Sequence, residues 1–138
     1  FSLTLATPEP AETQESFDAD LQAMIINNPL IVRVNDPRDA VASADFIYTD
    51  TWIDMQYFND PAKHAEKTAL VAQMQRFQIN SDLVADHELK IMHDMPIHND
   101  YEITEAAVRD PRSIIFDQAA NRLHAQKGLL YWLLVANA

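Results

Sequence analysis

Cysteine is missing altogether, glycine occurs once, at Gly128, and basic residues are scarce, 10 against 21 acidic ones. The missing cysteines exclude disulfides, thiolate metal ligands and thiol nucleophiles, which fits the cytoplasm while leaving the redox compartment open. A net charge of −11 over 138 residues argues against nucleic acid and against an anionic membrane surface, because both are gripped by clustered Lys and Arg. With one glycine, Asn and Asp must take several of the tight-turn positions that glycine normally fills. Long apolar runs are lacking too. The most apolar stretch, Gly128 to Ala136, is about half of the ~20 residues of a membrane span. The opening FSLTLATPEP has no basic region, no long apolar core and no cleavage signal, so it reads as a strand under way rather than a secretory leader.

What is present suits one soluble globular domain spanning 1–138, with 48% hydrophobic residues. Ser2 to Ala6 alternates and stops at Thr7-Pro8, as a strand does. A helix is expected from Gln14 to Asn27, with Phe17, Leu21, Met24 and Ile25 on one face. Leu30 to Val34 is β-branched and apolar, the composition of a strand buried on both sides. Asn35-Asp36-Pro37 offers a cap followed by Pro at the first helical position, which predicts a short helix to Ser43. A buried strand over Asp45 to Thr49 follows. Asp60-Pro61 repeats the device and opens a helix to Arg76, with Ala65, Leu70, Ala72 and Met74 as candidates for burial. Ser81 caps a turn through Ala85, Leu89 to Met92 is a fourth strand, and Thr104 caps a helix through Val108. Ser113 to Phe116 is a fifth strand, and Asp117 caps a final helix running to Val135. Strands alternating with helices predict an α/β fold: a three-layer, doubly wound, mostly parallel sheet of the Rossmann-like kind, in which ligands sit beyond the carboxyl ends of strands.

Three runs hold the residues able to carry chemistry. Tyr48-Thr49-Asp50-Thr51-Trp52-Ile53-Asp54-Met55-Gln56 follows the third strand, and His93-Asp94-Met95-Pro96 follows the fourth. Asn121-Arg122-Leu123-His124 lies within Phe116 to Lys127 on the last helix. Taken singly, Asp50 reads as a loop cap and His93 as a satisfied strand-end histidine. Taken together, the three runs resemble the amine-substrate half of a carbamoyltransferase of the ornithine and aspartate family.

That resemblance implies roles. Asp50 would bind the incoming amino group, and Met55 belongs to the loop that closes over the amino acid. Asp54 stands where the ornithine enzymes have Ser, and Gln56 where they have Gly. His93 would contact the carbamoyl oxygen, and the turn through Met95 and Pro96 would contact the amine. Arg122 would reach the carbamoyl group and neutralise developing charge, a task suited to a permanently charged donor fork. Asp94 replaces the family's Cys. Asp54 and Asp94 together add two carboxylates that would repel a substrate carboxylate nearby, so a diamine, or an amino acid with its carboxylate placed differently, is as tenable an acceptor as ornithine. No cofactor is called for, because phosphate is its own leaving group.

The resemblance covers only the second half of a complete carbamoyltransferase. The Ser-x-Arg-Thr phosphate loop of the other half does not occur, and neither does the first strand and helix of the amine domain, so the fold is expected to be incomplete. The run Leu129 to Val135 is apolar almost all round and needs covering on more than one side. The chain is therefore expected to be a piece of a larger assembly, with carbamoyl phosphate bound by the missing domain and a homotrimer as the complete form. Two further readings differ in kind: an inactive amino-acid-binding or regulatory module, and a purely structural partner domain. His64, His87, His98 and His124 show no metal spacing on any one predicted helix. Met55, Met74, Met92 and Met95 read as packing or loop residues, and Tyr131 and Trp132 belong to the terminal helix.

Overall fold

The computed structural model describes residues 1–8, 18–53 and 58–136. Four short parallel strands, β1 (Leu3–Ala6), β2 (Ile31–Val34), β3 (Phe46–Thr49) and β4 (Lys90–His93), form two pairs, β1 with β2 and β3 with β4. Among the described residues six α-helices accompany them: α1 (Ala19–Asn27), α2 (Pro37–Val41), α3 (His64–Met74), α4 (Ser81–Val84), α5 (Glu105–Val108) and α6 (Ile115–Tyr131). The parallel α/β architecture is the one expected, with the described strands pairing as two separate two-stranded sheets. Among the described residues no helix is long and apolar enough to cross a membrane.

The local signals mostly act where they stand. Asp36 accepts from Arg38 N with Pro37 opening α2, and Asp60 accepts from Ala62 N with Pro61 opening a 3-10 turn that leads into α3. Thr104 caps α5 through Ala107 N. Asp18 caps α1, and the expected helix residues Gln14 to Phe17 lie outside the described residues. Two caps differ. Asn80, not Ser81, accepts from Leu83 N and starts α4, because its carbonyl-type oxygen sits at the extended residue before the turn. At α6 the cap residue is Ile114, with no side-chain bond, and Asp117 falls in the first turn, where its charge suits the helix dipole.

The expected fifth strand is reduced to one parallel bridge between Ile91 and Ser113, since Ile115 is drawn into the core and the helix begins there. Nor are β2 and β3 buried on both faces: Val32 is 53% and Phe46 60% exposed. The apolar candidates of α1 and α3 are likewise exposed or half-buried.

The core lies instead around β4. Val41, Ile79, Leu83, Val84, Leu89, Ile91, Ile103, Ala107 and Ile115 form one buried cluster, with Ile47 and Met95 packed against it. Each such aliphatic side chain contributes about 1.5–3 kcal/mol through removal from water. Arg112 braces this cluster. Its guanidinium donates to the carbonyls of Val84 and His87 and, as a fork, to both carboxylate oxygens of Asp110 at 2.7–2.8 Å. That ties the end of α4 to the approach to α6, so the start of the last helix is fixed relative to β4.

Candidate functional site

Parallel pairing sets the geometry. Thr49 lies opposite His93 at the ends of β3 and β4, so the next residues, Asp50 and Asp94, leave the strands side by side. Partial burial pushes the Asp94 carboxyl above its ordinary value, and the Asp50 charge and a hydrogen bond between the two carboxyls push it further. Asp50 Oδ1 also accepts from Thr51 N at 2.6 Å, which holds its side chain at the strand end. Asp54 and Met55 lie outside the described residues.

The His93 ring borders the acidic pair, its Nδ1 lying 3.3 Å from Asp94 Oδ1, while its Nε2 side is turned inward. It is fully buried, and both ring nitrogens are engaged: Nδ1 accepts from Met95 N at 2.8 Å, which leaves the proton on Nε2 to donate to Glu102 Oε1 at 3.2 Å. Glu102, also 0% exposed, accepts on the same oxygen from His98 N at 2.6 Å. The imidazole therefore organises the turn from its inner side. Met95 has φ 65, a left-handed conformation unfavourable for a side chain of this kind, and the bond from its N–H to His93 helps hold it there. Pro96 follows through a cis peptide bond.

Helix α6 closes the site. Gln118 Oε1 accepts from His93 N at 3.2 Å, and its side chain also hydrogen-bonds the Tyr48 hydroxyl. Gln118 and Arg122 are four residues apart and so share one face of the helix. Arg122 lies near enough to Tyr48 for its charge to favour the phenolate, against desolvation, which is the largest influence and raises the phenol, and against the charges of Asp94 and Asp50. Asp50 and Asp94 thus stand side by side at the strand ends near Tyr48, within electrostatic reach of Arg122, with His93 Nδ1 beside Asp94 and its Nε2 turned inward.

Tyr48, Glu102 and Gln118 are not singled out by the sequence alone. Two carried a usable signal: Tyr48 is two residues before Asp50, on the same side of a strand, and Gln118 is one helical turn before Arg122. Glu102 carried none, because its pairing with His93 depends on the path of the turn between them.

Chemically, the two adjoining carboxyls suit a cationic amine, and the guanidinium opposite suits an oxygen that gains negative charge. Among the described residues no cluster of metal-ligating side chains is present.

Comparison with known proteins bears on this arrangement. A family model described as aspartate/ornithine carbamoyltransferase, Asp/Orn binding domain, matches residues 1–133. The ornithine carbamoyltransferase of Mycolicibacterium gilvum is 38% identical over 135 residues, covering 96% of this chain and 42% of that protein. The solved ornithine carbamoyltransferase from Pyrococcus furiosus superposes with a TM-score of 0.73 at 31% identity, over 94% of this chain and 41% of that one. The enzyme of the same name from Thermus thermophilus gives 0.71 at 32% identity, over 96% and 39%. The chain therefore spans well under half the length of these relatives, and it shares their Rossmann-like fold over nearly all of its own.

Proposed function

Because the chain belongs to the Asp/Orn-binding domain family of the aspartate and ornithine carbamoyltransferases, we propose that residues 1–138 supply the amine-binding half of an enzyme that transfers a carbamoyl group from carbamoyl phosphate to ornithine or a related amine. The observation that carries this reading is the side-by-side exit of Asp50 and Asp94 at the carboxyl ends of two parallel strands, with the charge of Arg122 acting on Tyr48 beside them. In this reading the carboxyl pair receives the acceptor as an ammonium ion and takes its proton. The freed amine nitrogen attacks the carbamoyl carbon, the C–O bond to phosphate breaks, and the proton left on nitrogen departs with the phosphate. Arg122 faces the oxygen that becomes negative, where a fixed donor lowers the barrier most. Met95 and Pro96 shape the turn against the amine. His93 acts through that turn, since Glu102 and the Met95 N–H occupy its nitrogens. Asp54 and Met55 are assigned to the acceptor side by resemblance.

The carbamoyl phosphate domain belongs to the rest of the polypeptide, the complete enzyme is a cytoplasmic homotrimer, and nucleic acid and membranes are not partners. Because the Asp94 carboxyl resists a second negative charge, a diamine, or an amino acid whose carboxylate lies away from Asp94, is as tenable an acceptor as ornithine. The test is to supply the whole enzyme with carbamoyl phosphate and a panel of amines and to measure ureido product and released phosphate. No product from any amine would overturn carbamoyl transfer, and binding without turnover would mark an inactive amine-binding module. A highest rate with ornithine would overturn the parity of acceptors alone.

A further inference from the structure

The amide of Gln118 touches both strands that carry the acidic pair while standing on the helix that carries Arg122. Its oxygen accepts from His93 N at 3.2 Å, at the head of the turn that begins with Asp94. An amide has one acceptor oxygen and two donor hydrogens. With the oxygen given to an N–H, the NH2 group is what remains for the Tyr48 hydroxyl, and a donated bond there eases ionisation of the phenol against the burial that raises it overall. The orientation of the amide is thus fixed from both sides, because a flipped group would set NH2 against the His93 N–H.

The position along the helix matters as much. Ile115 anchors the first turn of α6 in the core. Gln118 sits one turn further on, and Arg122 one turn beyond that, exposed and so placed by the helix that bears it. About 5.4 Å of rise separates successive turns, so a small tilt at Gln118 is carried directly into the guanidinium.

We propose that Gln118 is a positioning residue that aligns the two sides of the site, its amide fastening the helix of Arg122 to the strand of Asp50 and to the turn of Asp94. This rests on the carbamoyl-transfer reading, in which Arg122 serves the electrophile and the two carboxyls serve the nucleophile. Gln118 touches neither reactant. It holds the distance between the groups that do, and reactions of two bound partners are steep in that distance.

The experiment uses the complete enzyme. Gln118→Ala is expected to lower kcat about 10–100-fold, the scale of a small misplacement, with KM for the acceptor little changed. Tyr48→Phe removes only the bond to the phenol and should lower kcat by up to about tenfold, and Gln118→Ala combined with Tyr48→Phe should be no worse than Gln118→Ala alone. Should Gln118→Ala fail to fold, Gln118→Met, neutral and of similar length, carries the same test. Wild-type kcat in all three variants, with at most a lower Tm, or full additivity in the double variant, would overturn the positioning role and leave carbamoyl transfer standing. A wild-type enzyme that carbamoylates no amine would overturn the reading beneath it. In that case the fastening is still read in the Tyr48 phenol, whose ultraviolet titration should move upward in the neutral variant Gln118→Met and stay put if the bond does not exist.

Discussion

Asp50 and Asp94 leave their strands at the same level, one residue beyond the paired Thr49 and His93, so that the charge of Asp50 adds to partial burial in pushing the Asp94 carboxyl above its ordinary value. An ammonium ion seated between two such carboxyls relieves their mutual repulsion. Nothing in the helices dictates this placement; it follows from the register of two four-residue strands.

Asp94 makes acceptor binding depend on pH. Its carboxyl is raised by partial burial and then by Asp50, and an ammonium ion seated between them favours the ionised form. Affinity for a cationic amine should rise as pH climbs through the raised Asp94 value, with a proton released on binding. Calorimetry in two buffers of different ionisation enthalpy measures that proton. Binding that is flat with pH and releases none would contradict the pair's role. The stability sign is opposite: a raised carboxyl contributes stability that is fully present below the ordinary aspartate value and is lost as pH rises through the folded one. Asp94→Asn should therefore raise stability slightly at neutral pH, by at most about 1 kcal/mol for so exposed a group, while removing the proton release.

Glu102 holds the turn from below. It accepts from His93 Nε2 and from His98 N with no exposure to water. Glu102→Ala strands two buried donors and should cost about 3 kcal/mol. Glu102→Gln still offers an oxygen to both and should cost no more than about half of that. Urea unfolding of the two variants decides the matter, and equal losses would mean that the charge rather than the acceptor is what the turn needs.

Much of this was legible before any coordinates. Asp36-Pro37, Asp60-Pro61 and Thr104 are local devices, satisfied within a few residues, and they act where the sequence puts them. Ser113 to Phe116 has the composition of a strand, yet only Ser113 pairs, because burial of Ile115 decides where the last helix begins. The apolar β-branched run of β2 suggested a doubly covered strand, and composition cannot say what covers a face. In the site, Asp50, Asp94 and Arg122 stand out by type and position. The inward turn of the His93 ring does not, because it is set by Glu102, a partner beyond the turn.

The brace between Arg112 and Asp110 should govern acid resistance. The Asp110 carboxyl is held at about 2, chiefly by the hydrogen bond from the Arg112 side chain and then by the bond from its backbone N–H. A lowered carboxyl contributes stability that is present above the ordinary aspartate value of about 3.9 and is lost as pH falls through the folded one. The loss should therefore appear between about pH 4 and 2. Arg112→Lys keeps the charge and loses the fork that reaches Val84 O, His87 O and both carboxylate oxygens at once. It should cost about 2 kcal/mol at neutral pH and move the acid midpoint upward. Asp110→Asn should cost less at neutral pH, because the amide still accepts from Arg112, and should flatten the acid limb that this carboxyl supplies. Acid titrations followed by circular dichroism read both variants. An acid limb unchanged in Asp110→Asn would show that the pH dependence has another source, and that the brace is a matter of shape rather than of charge.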